Sequence, residues 1–510
     1  MRVSYWLLAL WTMLFLSDAA LAQQKKTART HRVSKTKVVK AAVRKAAPVA
    51  AIPTLYGAGQ LNDQLNRLIN NDEQNADVGV YVKSMKSGEA LYARNIHQAM
   101  TPASTMKILT AEAALIYLGP DYRFSTQLLT DGKATVKNGI LQGNLYIVLS
   151  GDPTITYNDL VDLLLTLRSQ QIQAIAGNVY IDYSAYDQRY YGPGWIEKDK
   201  GYCYAAPISA SIINHNCLSF QVTPAKMTGR SAQVVISPKY FLPTIHNSVT
   251  TKAGGSSCGV HLTKEANSEI TIEGCLSKGR YPTGISYVVT DIPDYNKALF
   301  KSVLKQLQVN VYGSITSGTT PKTASMIGQH ASKPLHELVN DMLKKSDNII
   351  AGSLFKKIGQ LYSRQPGSWE NGRAAVSAIL AKHAGVNTSG LKILDGSGLS
   401  PDNLATPAQM MQVLNFAYHH YGTSYEFISA LPIAGVDGTL KHRMYNISRK
   451  VRAKTGTISG VVGLAGYAMG KDNEPLAFVI MINSGKGMGW KYKALEDKIA
   501  TALTKYARPS

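Results

Sequence analysis

Hydrophobic residues recur along this chain with two different periods, and these periods separate helical regions from strand regions. Apolar residues at helical spacing predict a first helix over residues 58–71. Two short apolar stretches follow, and Gly88 between them predicts a hairpin whose turn needs the positive φ of glycine. A strongly apolar helix is expected over residues 105–117, with Pro102 just before it, where the missing N–H of proline has no consequence.

The stretch from about residue 120 to residue 290 has short alternating strands, separated by Gly, Pro, Asn and Ser. This pattern indicates a mostly β region with one helix. The predicted strands are residues 124–129, 145–149, 178–182, 217–223, 233–237 and 269–272, and the helix is residues 158–169.

Helical periodicity returns after residue 290. We predict helices at residues 294–308, 335–344, 348–358, 372–383, 406–418 and 492–506, and adjacent strands at residues 460–469 and 476–482. The predicted fold class is therefore α/β. Residues 53–118 and 290–510 are expected to form one module, interrupted by a mostly β inserted region at residues 119–289.

The N-terminus has the three parts of a secretory signal peptide. Arg2 precedes a short apolar run, and Ala20-Leu21-Ala22 supplies a small-residue cleavage site. The run is too short to cross a bilayer comfortably, which takes about 20 residues. We predict a signal peptide at residues 1–22, with an uncleaved membrane anchor as the alternative.

A basic segment follows the predicted signal peptide. Residues 23–50 contain nine Lys and Arg and no acid, and such a composition predicts a disordered linker over residues 23–52. These nine charges are less than half of the net charge of +22, so the globular part is basic as well. Export makes nucleic acid an improbable partner and favours an anionic wall or membrane surface, the alternative being a merely solvated tail.

Four cysteines, Cys203, Cys217, Cys258 and Cys275, lie within the predicted insert. None has the spacing of metal ligands, and an exported protein meets oxidising conditions, so two disulfides are expected. Four cysteines allow three pairings, of which we favour the two local ones. Zinc is the weaker alternative, because histidines at useful spacing are missing nearby.

The motif Ser104-Thr-Met-Lys107 lies at the first turn of a predicted helix. Residues three apart share a helix face, so the Lys107 amine reaches the Ser104 hydroxyl. A serine hydroxyl becomes a good nucleophile when a base takes its proton, and lysine is a base only when it is kept neutral. Taken alone the motif is unspecific, since a capping serine followed by a solvated lysine has the same letters.

Ser346-Asp347-Asn348 is the second motif. Its serine and amide are suited to relaying a proton to a leaving amine and to holding a peptide backbone. The same residues also suit the N-cap of the following helix, and both interpretations can hold together. We expect Asp347 to organise the backbone.

Lys454-Thr455-Gly456-Thr457 is the third motif and precedes an apolar strand. Its glycine suggests an edge strand that a substrate backbone approaches closely. Its lysine is expected to meet a carboxylate. The alternative is an ordinary loop.

The three motifs in this order resemble those of class C low-molecular-mass penicillin-binding proteins, the D-alanyl-D-alanine carboxypeptidase/endopeptidase family. The resemblance covers roughly residues 55–505, and the long interval between the first two motifs is typical of this family. Further matching strings are Ser150-Gly-Asp-Pro153, Gly192-Pro-Gly-Trp195, Asp395-Gly-Ser-Gly-Leu-Ser400, Leu431-Pro-Ile-Ala-Gly-Val-Asp-Gly-Thr-Leu440 and Leu464-Ala-Gly-Tyr467. The resemblance implies a serine β-lactamase/transpeptidase-like core, a sheet flanked by helices.

The resemblance also implies a mechanism. Ser104 attacks the penultimate D-Ala carbonyl of a peptidoglycan stem peptide and forms an acyl-enzyme, while Lys107 takes its proton. Ser346, linked to Lys107 and Lys454, returns a proton to the leaving amine. The implied binding groups are Asn348 for the acyl-side amide, Lys454, Thr455 and Thr457 for the terminal carboxylate, and the N–H groups of Ser104 and Thr457, beside Gly456, for the oxyanion. β-Lactam antibiotics are the implied covalent inhibitors, and no metal or organic cofactor is needed.

Two alternatives remain at this point, a β-lactamase-like hydrolase and a non-catalytic cell-wall-binding protein. The intact set of reactive groups argues against the second, since such groups act as a unit. Export and a peptidoglycan substrate together predict the periplasm. The residues do not decide between carboxypeptidase and endopeptidase preference, and we expect the loop at residues 395–400 to be structural.

Overall fold

The computed structural model of the protein describes residues 53–72, 76–237, 244–255, 258–264, 269–484 and 489–509. The predicted signal peptide (residues 1–22) and the predicted basic linker (residues 23–52) lie outside these ranges. Within them, no helix combines the length and the apolar character needed to cross a membrane.

The N-terminal part of the described chain has the predicted order of helix, hairpin and helix. Gly88 has a φ of 74° in the hairpin turn, as predicted. A short 3₁₀ turn, Ala103–Met106, precedes the second helix. The elements are β1 (Leu55–Tyr56), α1 (Gly57–Asp72), β2 (Ala76–Ser84), β3 (Ala90–Arg94) and α2 (Lys107–Leu118).

The next part is mostly β, and two of its strands begin and end at the predicted residues. Its elements are β4 (Ser125–Thr130), β5 (Thr135–Lys137), β6 (Ile140–Gln142), β7 (Leu145–Val148), α3 (Tyr157–Ser169), β8 (Ala174–Ile175), β9 (Val179–Asp182), β10 (Cys217–Thr223), β11 (Gln233–Ser237), β12 (Ile245–Asn247), β13 (Thr250–Lys252), β14 (Gly259–Lys264), β15 (Ile270–Ser277) and β16 (Thr283–Val288). The disulfides Cys203–Cys217 and Cys258–Cys275 lie here, and they are the two local pairs that we favoured.

Helices dominate the last part, as predicted. Its elements are α4 (Ile292–Gln306), β17 (Asn310–Val311), β18 (Ile315–Ser317), β19 (Ser325–Ala331), α5 (Leu335–Lys345), α6 (Asn348–Ser363), α7 (Trp369–Ala384), α8 (Pro407–His419), α9 (Ser424–Ala430), β20 (Val451–Ile458), β21 (Val461–Met469), β22 (Pro475–Ser484), α10 (Gly489–Leu503) and β23 (Tyr506–Ala507).

The main sheet has the strand order β20-β21-β22-β2-β3 and is antiparallel throughout. The sequence of strand β22 is continuously apolar because both of its faces are buried. Phe478, Ile480 and Ile482 belong to the core that includes α1 and α10, whereas Val479 and Met481 belong to the core that includes α2 and α8. A strand covered on both faces needs apolar residues at every position. The sheet flanked by helices is the predicted architecture.

Strand pairing places residues 310–331 with the inserted region. Strand β17 pairs with β8, β18 pairs with β9, and β19 pairs with β4. The predicted boundary at residue 289 therefore precedes three strands that share sheets with the insert. The sequence pattern did not predict that these strands join the sheets of the insert. Periodicity shows that the preceding helix α4 is amphipathic, but it does not show which core the apolar face of α4 contacts.

Candidate active site

Ser104 and Lys107 lie at the junction between the 3₁₀ turn and α2. The Lys107 Nζ is 2.9 Å from the Ser104 Oγ, and Lys107 is fully buried. Ala103 immediately before the serine has a φ of 46°, a left-handed conformation that costs a non-glycine residue about 1 kcal/mol or more. The turn that presents Ser104 is therefore held in a strained conformation by the structure around it.

The Lys107 amine has three polar neighbours, the Ser104 hydroxyl and two further oxygens. It donates to the Asn348 Oδ1 at 2.6 Å and to the Ser397 carbonyl at 2.8 Å. Burial lowers the pKa of Lys107 to about 7, although the negative charges of Asp395 and Asp347 act to raise it. A neutral amine has two N–H donors and one lone pair. With both donors occupied by Asn348 and Ser397, the lone pair is left for the Ser104 proton.

The second motif joins two helices. Ser346 follows α5 in a left-handed conformation, with φ 59° and ψ 39°. Asp347 caps α6, since its Oδ1 accepts the N–H groups of Ile349 at 2.8 Å and Ile350 at 2.9 Å. Asp347 thus organises the backbone, as predicted, and its cap directs Asn348 toward Lys107.

The third motif lies on β20, one of the two edge strands of the main sheet. The Lys454 Nζ is 2.9 Å from the Ser346 Oγ and 2.7 Å from the Thr455 carbonyl oxygen. Burial, together with the nearby Lys107, lowers the pKa of Lys454 well below its usual value. The mechanism inferred from sequence linked Ser346 to both lysines. In the structure Ser346 bonds to Lys454, whereas Lys107 bonds to Asn348.

Gly456 explains how β20 approaches the serine so closely. A Cβ at this position would lie 2.8 Å from the Pro102 carbonyl oxygen and 3.1 Å from the Thr105 nitrogen. Thr455 donates its hydroxyl proton to the Thr439 hydroxyl at 2.8 Å, and Thr457 is exposed. The structure therefore brings strand residues 454–457 beside the turn of Ser104.

The loop at residues 395–400 contributes more than the sequence indicated. Its Ser397 carbonyl binds the Lys107 amine. Asp395 fixes this carbonyl by accepting the backbone N–H groups of Ser397 at 2.8 Å and Gly398 at 2.6 Å. Its Oδ2 accepts the indole N–H of Trp195 at 2.8 Å. The two glycines of the loop indicate tight turns in the sequence, but no residue type indicates the direction in which a backbone carbonyl group points.

A second contribution that the sequence did not reveal is a carbonyl group next to a disulfide. The Asn348 Nδ2 donates to the Tyr204 carbonyl at 2.8 Å, and Tyr204 follows the disulfide-bonded Cys203. Both ends of the Asn348 amide are therefore engaged, one by Lys107 and one by Tyr204. The disulfide-bonded segment of the insert thus contacts the candidate site directly.

Comparisons with known proteins agree with this geometry. The sequence profile of the D-Ala-D-Ala carboxypeptidase 3 (S13) family matches residues 61–506. The chain is 33% identical over 435 residues to a D-alanyl-D-alanine carboxypeptidase, DacB, of Haemophilus influenzae, covering 84% of this chain and 89% of that protein. It is 31% identical over 498 residues to a D-alanyl-D-alanine carboxypeptidase of Actinomadura sp. strain R39, covering 91% of each.

The fold is similar to that of a solved relative. The crystal structure of penicillin binding protein 4 from Haemophilus influenzae matches with a TM-score of 0.76 and 31% sequence identity, over 86% of this chain and 98% of that one. A complex of the same protein with a β-lactam matches with a TM-score of 0.74 and 30% identity, over 87% and 100% of the two chains. Sequence profile, relatives and fold agree over most of the chain, which therefore belongs to the D-Ala-D-Ala carboxypeptidase 3 (S13) family of serine peptidases.

Proposed function

We propose that this enzyme, a serine-type D-Ala-D-Ala carboxypeptidase, cleaves peptidoglycan stem peptides through an acyl-enzyme on Ser104. The observation that carries the proposal is the environment of Lys107. Its amine is 2.9 Å from the Ser104 Oγ, is buried, and has both of its donors occupied. A lysine in this setting is able to take a proton near neutral pH, which a solvated lysine is not.

Acylation follows from this arrangement. The Ser104 Oγ attacks the carbonyl carbon of the penultimate D-Ala while its proton moves to the Lys107 Nζ. The backbone N–H groups of Ser104 and Thr457 stabilise the resulting oxyanion. Collapse of the tetrahedral intermediate breaks the peptide bond, and Ser346 gives its proton to the leaving amine. Lys107 then gives up to solvent the proton that it took from Ser104, accepts a proton from the attacking water and returns that proton to the Ser104 oxygen. The water's hydroxyl group leaves with the shortened stem as a carboxylic acid, and Ser104 is restored.

Lys454 has two roles in this scheme. Its amine contacts the Ser346 hydroxyl, so it is positioned to replace the proton that Ser346 gives away. Burial and the nearby Lys107 lower the pKa of this amine, whereas the arriving terminal carboxylate favours its protonated form. In its protonated form Lys454 therefore binds the substrate carboxylate, and the hydroxyls of Thr455 and Thr457 assist this binding.

β-Lactams are proposed to acylate the same serine. Their strained amide presents a carbonyl and a nearby carboxylate, as the D-Ala-D-Ala terminus does. The H. influenzae relative whose fold this chain shares has been solved as a β-lactam complex. The leaving amine stays attached to the acyl group, so the adduct is expected to persist.

Intact-mass spectrometry after brief incubation with benzylpenicillin tests the proposal. The expected result is one stable adduct that is absent from Ser104→Ala. An unmodified protein with the drug consumed would indicate a β-lactamase-like hydrolase. An unmodified protein with intact drug would indicate a non-catalytic wall-binding protein, and either result would contradict the proposal.

We also propose that the same acylation supports endopeptidase cleavage, in which the leaving amine belongs to a cross-linked D-amino acid. The edge position of β20 supports this, since an edge strand leaves room for a longer leaving group. Chromatography of digested muropeptides separates the two activities. Loss of the terminal D-Ala from monomers measures carboxypeptidase activity, and conversion of dimers to monomers measures endopeptidase activity. Dimers that stay uncut while monomers are trimmed would restrict the enzyme to carboxypeptidase activity.

Periplasmic location is the last part of the proposal. It is supported by the pattern of residues 1–22 and by two disulfides, which form in oxidising compartments. The basic residues 23–50 are proposed to contact an anionic wall or membrane surface. N-terminal sequencing of the protein recovered from fractionated cells checks the location, and a chain that begins at Gln23 in the periplasmic fraction is expected.

A further inference from the structure

A groove of about 740 Å³ lies between α4 and the chain segment that follows it, outside the candidate active site. One wall is helical and carries Lys297, Lys301 and Lys305. The other wall is the segment from Gln308 to Ile315, which includes β17 and the start of β18. The proposed catalytic mechanism uses none of these residues.

The three lysines form a row on one face of α4. They are four residues apart, which places successive side chains on the same face with a rise of about 6 Å between them. All three are exposed, while Leu299 and Val303 on the opposite face are buried in the core of the insert. The three positive charges are therefore spread over about 12 Å along the groove.

Among the described residues, no acidic partner pairs with this row of lysines to give it a role in stabilising the fold. Within the described ranges, none of the three lysines forms an ion pair with a carboxylate. Like charges four residues apart destabilise a helix, and only Lys305, in the last turn, is favoured by the helix dipole. The helix thus keeps two unfavourable repulsions that a single glutamate in the row would relieve.

The opposite wall offers groups that complement a polar ligand. Asn310 and Ser314 line this wall and provide an amide and a hydroxyl. Strands β17 and β18 are each the outermost strand of their sheet, so this wall has no further strand beside it. A ligand in the groove would meet ammonium groups on one side and neutral polar groups on the other.

We propose that this groove binds a carboxylate-bearing strand of peptidoglycan and holds the polymer while Ser104 acts on a stem. The inference rests on the proposed function, because the carboxypeptidase substrate is a polymer whose stems end in carboxylates. A row of ammonium groups fits a ligand with several carboxylates in succession better than a single small anion. Its contribution is electrostatic, so it decreases as ionic strength rises.

Co-sedimentation with purified peptidoglycan tests the groove separately from catalysis. The test uses the full-length mature protein carrying Ser104→Ala, so that no cleavage occurs. Adding K297Q, K301Q and K305Q is expected to weaken binding by about fivefold or more at low salt, since three charge contacts are lost. The matched control replaces the exposed Lys137, Lys322 and Lys382, which removes the same charge from scattered positions, and is expected to bind as well as the parent. K297R with K301R and K305R keeps the charge and is expected to restore binding.

Activity in the catalytically intact protein gives a second measurement. The groove variant is expected to keep kcat/KM on a soluble D-Ala-D-Ala peptide and its rate of benzylpenicillin acylation, but to show a raised KM on peptidoglycan. Equal binding by groove and control variants would overturn the inference. So would a groove variant that loses binding to phosphatidylglycerol vesicles but keeps binding to peptidoglycan, which would mark a lipid site. If Ser104 is never acylated but the groove variant alone loses peptidoglycan binding, the proposed function fails, while the assignment of the groove as a peptidoglycan-binding site stands.

Discussion

Lys107 is the residue whose protonation state is expected to set the pH dependence of acylation. Burial lowers its pKa to about 7, so the neutral amine that accepts the Ser104 proton predominates above that pH. The rate of benzylpenicillin acylation is therefore expected to rise with pH and to level off above about pH 7. The charge of Asp347 raises the pKa of Lys107, and Asp347→Asn removes that charge while keeping an efficient helix cap. The variant's profile is expected to shift to lower pH in stopped-flow measurements, and an unchanged profile would show that another group controls the rate.

Glu112 on α2 is a second buried residue with a measurable effect, here on stability. Burial raises its pKa from 4.5 to about 7, although a hydrogen bond from the Thr423 hydroxyl opposes this. Because the folded pKa is raised, the stability that Glu112 contributes is complete below pH 4.5 and is lost as pH rises through about 7. The full loss corresponds to ~3 kcal/mol.

Glu112→Gln is therefore expected to raise the free energy of unfolding relative to the parent at pH 8 but not at about pH 4. Urea unfolding followed by circular dichroism across this range measures the effect. Glu337→Gln, at an exposed position, is the control and is expected to run parallel to the parent. Parallel curves for both variants would mean that Glu112 does not titrate in this range.

Strand β20 and the 3₁₀ turn are the pair of elements on which the site depends most directly. Gly456→Ala would place a methyl group 2.8 Å from the Pro102 carbonyl oxygen, so the strand or the turn must move. Acylation by benzylpenicillin is expected to slow by about tenfold or more, because displacements of about 1 Å in a site have effects of this size. Gly59→Ala on α1 is the control, since no atom lies within 4 Å of its added Cβ. Equal acylation rates in the two variants would show that β20 tolerates a side chain there.

Individual elements were largely predictable from sequence, and their associations were not. The sequence predicted the exact bounds of two strands, Cys217–Thr223 and Gln233–Ser237, because turn-forming residues flank both short apolar runs. Strand β20 was recognised only through its motif, since Arg452 and Lys454 interrupt its apolar pattern. The candidate site residues were proposed from their sequence motifs. The partners of Lys107 include the backbone carbonyl of Ser397, which no residue type indicates. Long-range pairing, such as β19 with β4, depends on tertiary packing that periodicity does not contain.

The two disulfides differ in their relation to the site, and this difference predicts different consequences for the whole molecule. Each closes a short loop, of 14 or 17 residues, and each is expected to stabilise the fold by about 3 kcal/mol. Replacing either pair by serines should therefore lower Tm by a similar amount. Only the loss of Cys203–Cys217 is expected to slow acylation, because Cys203 precedes the Tyr204 carbonyl that holds Asn348. Calorimetry and acylation rates below both transitions measure the two effects, and equal slowing in both variants would indicate a general loss of order.

The main sheet draws its strands from opposite ends of the chain, and this has a consequence for biosynthesis. Strand β2 is made early but pairs with β22, which is made almost last. The insert, by contrast, is contiguous, and its strand pairs are complete once Ala331 has been synthesised. A growing chain is made from its N-terminus and folds by domains, so the insert is able to fold well before the sheet that carries Lys454. The nucleophile is thus present in the nascent polypeptide long before the residues that activate it are assembled, and a prematurely terminated product is an inert peptidase.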